Sequence, residues 1–207
     1  MALDVVVIMD RGGQGRVVMD AAQACGYRVV GALDDSSVGD QNGVPILGKP
    51  DDWNAQPEAV AFILALSNQA ERVRLGQELL AAGRVLESVV HPRSWVSPSA
   101  TIGIGAAIMS NVTINANASI GDFVIVNANC SIDHDCDIGE GVALGPGVIF
   151  PGGVTCGPLS FVGAGVVALP RRSIGAGAVV GAGSVVTKDV APGTTVAGNP
   201  ARPLERR

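Results

Sequence analysis

The chain has 207 residues and is lightly charged, with 14 Lys and Arg against 19 Asp and Glu and a formal net charge of −5. That acidic balance, with no basic cluster beyond the terminal Arg206-Arg207, argues against nucleic acid as a partner, and no apolar run reaches the length of a membrane span. Hydrophobic residues make up 47% of the chain but aromatics only 3%, with 28 glycines, which suits narrow aliphatic cores that have little room for rings.

In chain order, Ala2 to Met9 carries Val5-Val6-Val7-Ile8, a short apolar run suited to a buried strand. It leads into Gly12-Gly13-Gln14-Gly15, a helix over Arg16 to Cys25, and a second strand from Arg28 to Leu33 that ends in Asp34-Asp35. That succession is a βαβ opening. Ala59 to Leu66 reads as another strand, and Asn68-Gln69-Ala70-Glu71 as a capping box opening a helix to about Ala82. Val85 to Val90 is expected to close the sheet. Glycines between a first strand and its helix let a phosphate approach the helix N-terminus; the alternative is a tight helix–sheet junction with no ligand. The usual leading glycine is missing, since Met9-Asp10-Arg11 stands there, with Asp10 set to repel a phosphate and Arg11 to attract one. Asp34-Asp35 stands where carboxylates bond ribose hydroxyls or a base edge, or else merely begins a polar turn with Ser36-Ser37.

From Val96 to Val186 an apolar residue recurs at every sixth position, through Ile102, Ile114, Ile132, Leu144, Phe150, Val162 and Ile174, with no slip. A period of six fits neither a helix nor an ordinary strand and is the signature of a parallel β-helix. A second, small residue follows four positions later, from Ala100 through Val142 to Val190, broken only by Arg172. Glycine often follows the leading residue, as at Gly103, Gly121, Gly145, Gly163 and Gly181, where it is expected to permit a sharp corner. Three corners make a coil of roughly eighteen residues, stacked on the next. The predicted fold class is therefore α/β plus all-β: a small Rossmann-like N-terminal domain over 1–90, then a β-helix of hexapeptide repeats over 91–207.

Only two histidines are present. His91 precedes Pro92 at the junction and reads as a hinge or packing residue. His134 sits inside a coil between Asp133 and Asp135, where a neutral imidazole is well matched to accept a proton near pH 7. A zinc hydratase of this architecture would need three histidine ligands, so no metal is expected. Cys130, Cys136 and Cys156 fall on apolar or small positions of the repeat and read as core packing; Cys25 ends the first helix. Free thiols suit a reducing compartment. With no basic segment followed by a long apolar core at the start of the chain, the expectation is a cytoplasmic enzyme.

The hexads resemble those of the left-handed β-helix acyltransferases, usually homotrimers with acyl-CoA between neighbouring helices; handedness and trimer are implied by that resemblance. Asp189 to Arg202 is similar to the stretch that caps their last coil. Through Gly12-Gly13-Gln14-Gly15, Leu33-Asp34-Asp35, Val90-His91-Pro92 and Asn127-Ala128-Asn129-Cys130-Ser131-Ile132-Asp133-His134-Asp135-Cys136, essentially the whole chain resembles the acetyltransferases of nucleotide-linked amino sugars, related to sialic acid O-acetyltransferases. The resemblance implies that the N-terminal domain holds the nucleotide of the sugar, with contacts from Gly12, Gly13, Gln14, Gly15, Asp34, Asp35, Asn68 and Asn127, and that the β-helix holds acetyl-CoA. His134 becomes the general base and Asp135 its orienting acid. Gly152 would present its amide to the thioester, and the amides near Ala164 and Ala182 would follow the pantetheine arm. Lys188 and Arg202 either meet CoA phosphates or are solvated charges. Gly152 lies one coil beyond His134, which stacks the two about 4.8 Å apart.

Two departures stand out. Many relatives carry a second histidine against acetyl-CoA nine residues after the first, where this chain has Ala143. Relatives commonly have His beside the nucleotide where this chain has Gln14. The expected reaction is acetylation of the amine of a UDP-, GDP- or dTDP-linked 4-amino-4,6-dideoxy sugar, for which one base suffices. O-acetylation of sialic acid or another hydroxyl is the alternative. A non-catalytic β-helix spacer would leave His134 and its aspartates without a use.

Overall fold

The computed structural model describes residues 2–10, 12–35, 39–41 and 43–204. Arg11, Ser36-Ser37 and Arg206-Arg207, singled out above, lie outside the described residues. The first unit runs β1 (Asp4–Met9), α1 (Gly13–Ala24), β2 (Arg28–Asp34), β3 (Asp40–Gln41), β4 (Val44–Gly48), a 3-10 turn at Pro50–Ala55, β5 (Ala61–Ala65) and α2 (Gln69–Ala81). Its sheet has the order β3-β4-β2-β1-β5, parallel except for the β3–β4 hairpin. β1 is central and reads as a continuous apolar run because both its faces are covered. On one side Val18, Met19 and Ala22 of α1 pack on Val5, Val7 and Met9; on the other, Leu75 and Leu79 of α2 pack with Val6, Ile8, Phe62 and Leu64.

Local departures from expectation have physical causes. α1 begins at Gly13, earlier than Arg16, because Gly12 is its extended N-cap and the glycine run forms its first turn. Asn68 caps α2 by accepting from the Glu71 amide at 3.0 Å, but the Glu71 carboxylate turns to Arg74, so only half of the capping box forms. Val85 to Val90 does not close the sheet as one strand. Leu86 bridges Phe62, whereas β6 (Val89–Val90) pairs with Ala107–Ile108 and becomes the first strand of the β-helix.

The second unit is a left-handed parallel β-helix of two-residue strands. Its first face stacks Trp95–Val96, Thr113–Ile114, Ser131–Ile132, Ile149–Phe150, Val167–Ala168 and Val185–Val186. The second stacks Thr101–Ile102, Ser119–Ile120, Asp137–Ile138, Thr155–Cys156 and Ser173–Ile174; the third runs from Val89–Val90 through Ala143–Leu144 to Val179–Val180 and the cap strands Thr195–Ala197 and Arg202–Pro203. Pairing joins each residue to the one eighteen later, as in Ile132↔Phe150 and Leu144↔Val162. The two apolar series of the repeat fill one continuous core, from Ile108 and Val112 to Val186 and Val190.

The corners turn differently from the expectation. From Ile102 to Val180, left-handed backbone falls three positions after each leading apolar residue, at Gly105, Asn111, Asn117, Phe123, Asn129, Asp135, Gly141 and onward to Gly183, and not at the glycine directly after it. Those first glycines answer a different need: a Cβ at Gly163 would stand 2.5 Å from the Ala182 amide of the next coil. Close approach of two coils, more than backbone freedom, excludes a side chain there.

The two units share packing. Ala107, Met109 and Ile125 on the third face join the α1 core, and Phe123 joins the α2 core. Arg72 of α2 is fully buried and donates to Leu66 O (2.6 Å), Phe123 O (2.7 Å) and Gly141 O (2.8 Å), tying helix to coil. Burial pushes its guanidinium down to about 10.

Candidate active site

His134 projects from the corner between the first and second faces. The turn leaves Ile132 in the core and puts the next three residues outside it, with Asp135 taking the left-handed position at φ 58°, which Asp tolerates better than most residues. His134 Nδ1 lies 2.8 Å from Asp135 Oδ2, and its own amide donates to Asp133 Oδ1 at 2.8 Å. With Nδ1–H donated to the carboxylate, Nε2 is the nitrogen left to accept a proton. The Asp135 hydrogen bond, helped by the Asp133 charge, raises the imidazole above its ordinary 6.5, while Arg171 opposes the rise. The hydrogen bond from His134 is also the main cause that holds each of the two aspartates below the usual carboxylate range.

Gly152 occupies the same corner one coil on, as the eighteen-residue spacing requires. A Cβ there would lie 2.4 Å from His134 Cε1 and 2.5 Å from Nε2, so the imidazole lies over bare backbone. From Phe123 to Gly183 the ladder uses the amide that follows at each corner, as in Gly153 N to His134 O at 2.9 Å. The Gly152, Ala164 and Ala182 amides make no backbone hydrogen bond among the described residues and remain free donors.

The α/β unit gathers a second group of residues. Because Met9 is in register with both Asp34 and Ala65, the loops after β1, β2 and β5 share one edge of the sheet. Gly12, Gly13, Gln14, Asp34, Asp35 and Asn68 therefore meet at the carboxyl edge, where such sheets take their ligands. Asp34 is buried at 1% exposure, whereas Asp35 is exposed. Gly15 fits the tight-junction alternative, since a Cβ would meet Met9 Sδ at 2.4 Å. Gly12 and Gly13 are open by comparison, with no atom nearer than 3.5 Å to such a Cβ. Asp10 accepts from the Ser67 amide at 2.6 Å and its hydroxyl at 3.2 Å, so this carboxylate ties two loops together. The Gln14 side-chain nitrogen is buried with no partner among the described residues.

Residues 5–79 match the PglD N-terminal domain family. A mutant of GDP-perosamine N-acetyltransferase from Caulobacter crescentus, solved with CoA and GDP-perosamine, is 34% identical over 97% of each chain with a TM-score of 0.93. The chain belongs to the PglD/PerB-type acetyltransferase family. The acetyltransferase domain of PglB from Neisseria gonorrhoeae, solved with acetyl coenzyme A, is 34% identical over 98% of this chain and 100% of that one, with a TM-score of 0.93. WeeI from Acinetobacter baumannii is 30% identical over 97% and 100%, with a TM-score of 0.89. Among curated proteins none matches.

The remaining residues expected from the family pattern fall in separate places. Asn127, Ala164 and Ala182 lie on the corner between the third and first faces, one edge away from His134 and Gly152. Asn127 donates its carboxamide to Leu144 O at 2.9 Å. Ala143 lies within the third face at 7% exposure, away from the His134 edge. Lys188 and Arg202 line one cavity of about 380 Å³ at the cap, with Asp189 and Thr194. His91 borders a junction cavity of about 210 Å³ with Val17 and Met109, and its Nδ1 accepts from the Arg93 amide at 3.1 Å. The four cysteines are free, and burial pushes the Cys156 thiol up to about 12. Among the described residues there is no group of three metal-ligating side chains, and no helix is long and apolar enough to cross a membrane.

Sequence reasoning missed Asn115 and Asn117. Asn115 Nδ2 donates to Asp133 Oδ1 at 3.0 Å, and Asn117 Nδ2 donates to Asp135 Oδ1 at 3.2 Å. The signal was available: each amide precedes its carboxylate by one eighteen-residue coil.

Proposed function

We propose that this chain transfers the acetyl group of acetyl-CoA to the amino group of a nucleotide-linked 4-amino-4,6-dideoxy sugar, with His134 as general base. The observation that carries the reading is the His134–Asp135 pair laid over the bare backbone of Gly152. His134 Nε2 takes a proton from the sugar amine as the nitrogen attacks the thioester carbon. The Gly152 amide donates to the carbonyl oxygen as negative charge develops, a contribution of roughly 3 kcal/mol in comparable sites. As the carbon–sulfur bond breaks, the imidazolium returns the proton to the departing CoA sulfur. The nucleotide lies at the carboxyl edge of the α/β sheet, where the open Gly12-Gly13 turn and the unpartnered Gln14 amide favour phosphate and polar groups. Lys188 and Arg202 supply positive charge for the CoA phosphates at the cap.

The working assembly in this reading is a homotrimer with its sites between subunits. The expected residues occupy two edges that flank the first face: His134, Gly152 and Lys188 on one, Asn127, Ala164 and Ala182 on the other. A three-fold arrangement with that face inward brings one edge of each subunit against the other edge of its neighbour. The first face carries exposed Trp95 and Ile149 beside Val167 and Val185, while the second presents Thr101, Ser119, Asp137, Thr155 and Ser173 to solvent. Four free thiols fit a cytoplasmic location.

The test is to mix the protein with acetyl-CoA and a panel of UDP-, GDP- and dTDP-linked 4-amino sugars and to follow free CoA. Turnover on one of them, lost by two to four orders of magnitude in His134→Ala, is the expected result. Turnover confined to sialic acid or an amino acid would overturn the acceptor, near wild-type rates in His134→Ala would overturn the base, and a fully active monomer by sedimentation would overturn the shared site.

A further inference from the structure

We infer that Asn117 is a positioning residue for the reaction, holding Asp135 in the orientation that presents Nε2 of His134 to the acceptor. The inference rests on the acetyltransferase reading, and it begins from a column of side chains along one edge. Asn117, Asp135, Gly153 and Arg171 are separated by one coil each and, apart from side-chain identity, occupy equivalent left-handed positions with φ between 58° and 72°. Asn117 is fixed from below, where its amide donates to Ser99 Oγ at 3.1 Å. It reaches upward through Nδ2 to Asp135 Oδ1 at 3.2 Å, leaving Asp135 Oδ2 for His134 Nδ1 at 2.8 Å. The two carboxylate oxygens are thus divided between one donor that sets the rotamer and one that is oriented by it. Asn115 also reaches up to a carboxylate, but its Nδ2 and the His134 backbone amide both donate to the same oxygen, Asp133 Oδ1.

A neutral donor is the group this position needs. A cation would compete with His134 for the carboxylate, and a second acid would repel it. The charged and titratable groups around the imidazole are Asp133 and Asp135 on its own turn, Arg171 from two coils above, and the Cys136 thiol beneath Asp133. None of these comes from the coil below, so the amides of Asn115 and Asn117 are that coil's contribution.

The fold contains its own control. Asn111 also adopts a left-handed conformation, φ 58°, and donates Nδ2 to Asn129 Oδ1 at 3.2 Å, one coil up on a different edge. The geometry is the same, but the ladder ends on an amide and not on the partner of an imidazole. Removing either asparagine costs the coil an equivalent bond; only Asn117 touches the His134 pair.

The experiment compares the intact protein with Asn117→Ala, Asn117→Asp and Asn111→Ala. The two histidines are followed by NMR titration, with His91 as internal reference, and kcat is followed against pH. Losing the donor frees Asp135 and weakens its bond to the imidazole, so Asn117→Ala moves the His134 titration to lower pH. Asn117→Asp removes the same donor and repels Asp135, so plateau kcat falls as in Asn117→Ala, while its added charge favours the imidazolium and moves the titration to higher pH. The acidic limb of kcat follows each shift, because the base works only when neutral. Plateau kcat falls roughly tenfold in Asn117→Ala with KM for acetyl-CoA unchanged, and Asn111→Ala leaves the titration in place. Asn117→Asp keeps the residue's shape and its tolerance of left-handed backbone, so it serves should the alanine variant fail to fold. A His134 titration that is the same in all four proteins, or that moves equally in Asn111→Ala, overturns the inference. Absence of acetyl transfer in the unmodified chain overturns the functional reading instead, and the titration still decides whether Asn117 sets the pair.

Discussion

In the β-helix a residue's number fixes the face or edge it occupies, whereas in the α/β unit its place depends on which strands happen to align. The β-helix core takes two residues of each hexad, and the corner positions after the leading apolar residue point outward. Chemistry can be written there without disturbing the core: His134 and Asp135 follow Ile132 much as Ala116 and Asn117 follow Ile114. The α/β unit instead makes its site from loop ends brought together by register, with Met9 opposite Asp34 on one side and Ala65 on the other. In the proposed reaction the rigid half positions the reacting group, and the irregular half reads the acceptor.

Gly152→Ala tests the rigid half most severely. Its new methyl would start 2.4 Å from the His134 ring, nearer than any real contact. The obstacle is a half-exposed side chain, 59% accessible, which can swing outward while the coil stays intact. The expected outcome is a fall in kcat of about a hundredfold with an unchanged thermal midpoint. Kinetics and a melting curve on the same preparation check it. Full activity would mean that the stacking of ring on backbone plays no part in the reaction.

How much was legible in the sequence follows the same division. The six-residue period gave the faces, the core and the stacking of His134 on Gly152, because a fixed rise per coil turns sequence distance directly into spatial distance. It misplaced the strained positions, since glycine is demanded by two different constraints and the letter alone does not say which. In the α/β unit, β3 and β4 left no pattern to find: one is two residues long, and the other contains Pro45 and only five residues. Val89-Val90 was recognised as a strand but given the wrong partner, because an apolar pair carries no record of what it pairs with. Gln14 and Asp34 were named without their surroundings, one with a side-chain nitrogen buried and lacking a partner among the described residues, the other a buried carboxylate.

The joint between the halves was invisible for a related reason. Arg72→Ala removes a guanidinium that donates to carbonyls of both units, and leaves Leu66 O, Phe123 O and Gly141 O short of a donor. Burying a charge is costly, but removing it after its partners are in place strands them. The expected loss is about 3 kcal/mol, read from the shift of a denaturant midpoint. A second transition in the unfolding curve would show that the two units have come apart; a loss well below that figure would mean that apolar packing around Phe123 holds the joint without Arg72.

Arg74 makes the smallest effect and the sharpest contrast. It stands two residues along the same helix and has more ionic partners than Arg72, pairing with Asp51, Glu71 and Glu78. Those carboxylates hold its guanidinium above the ordinary arginine range, whereas burial among carbonyls lowers that of Arg72. Counting partners would rank Arg74 as the more important. Its side chain is 40% exposed, however, and Asp51 is 72% exposed, so water already satisfies most of what the pairs provide. Arg74→Ala should therefore cost less than about 1 kcal/mol, and the difference from the unmodified chain should shrink further in high salt. A loss that matches Arg72→Ala and persists in salt would show that helix α2 is held by its outer face, and the joint would then have to be sought among the surface charges.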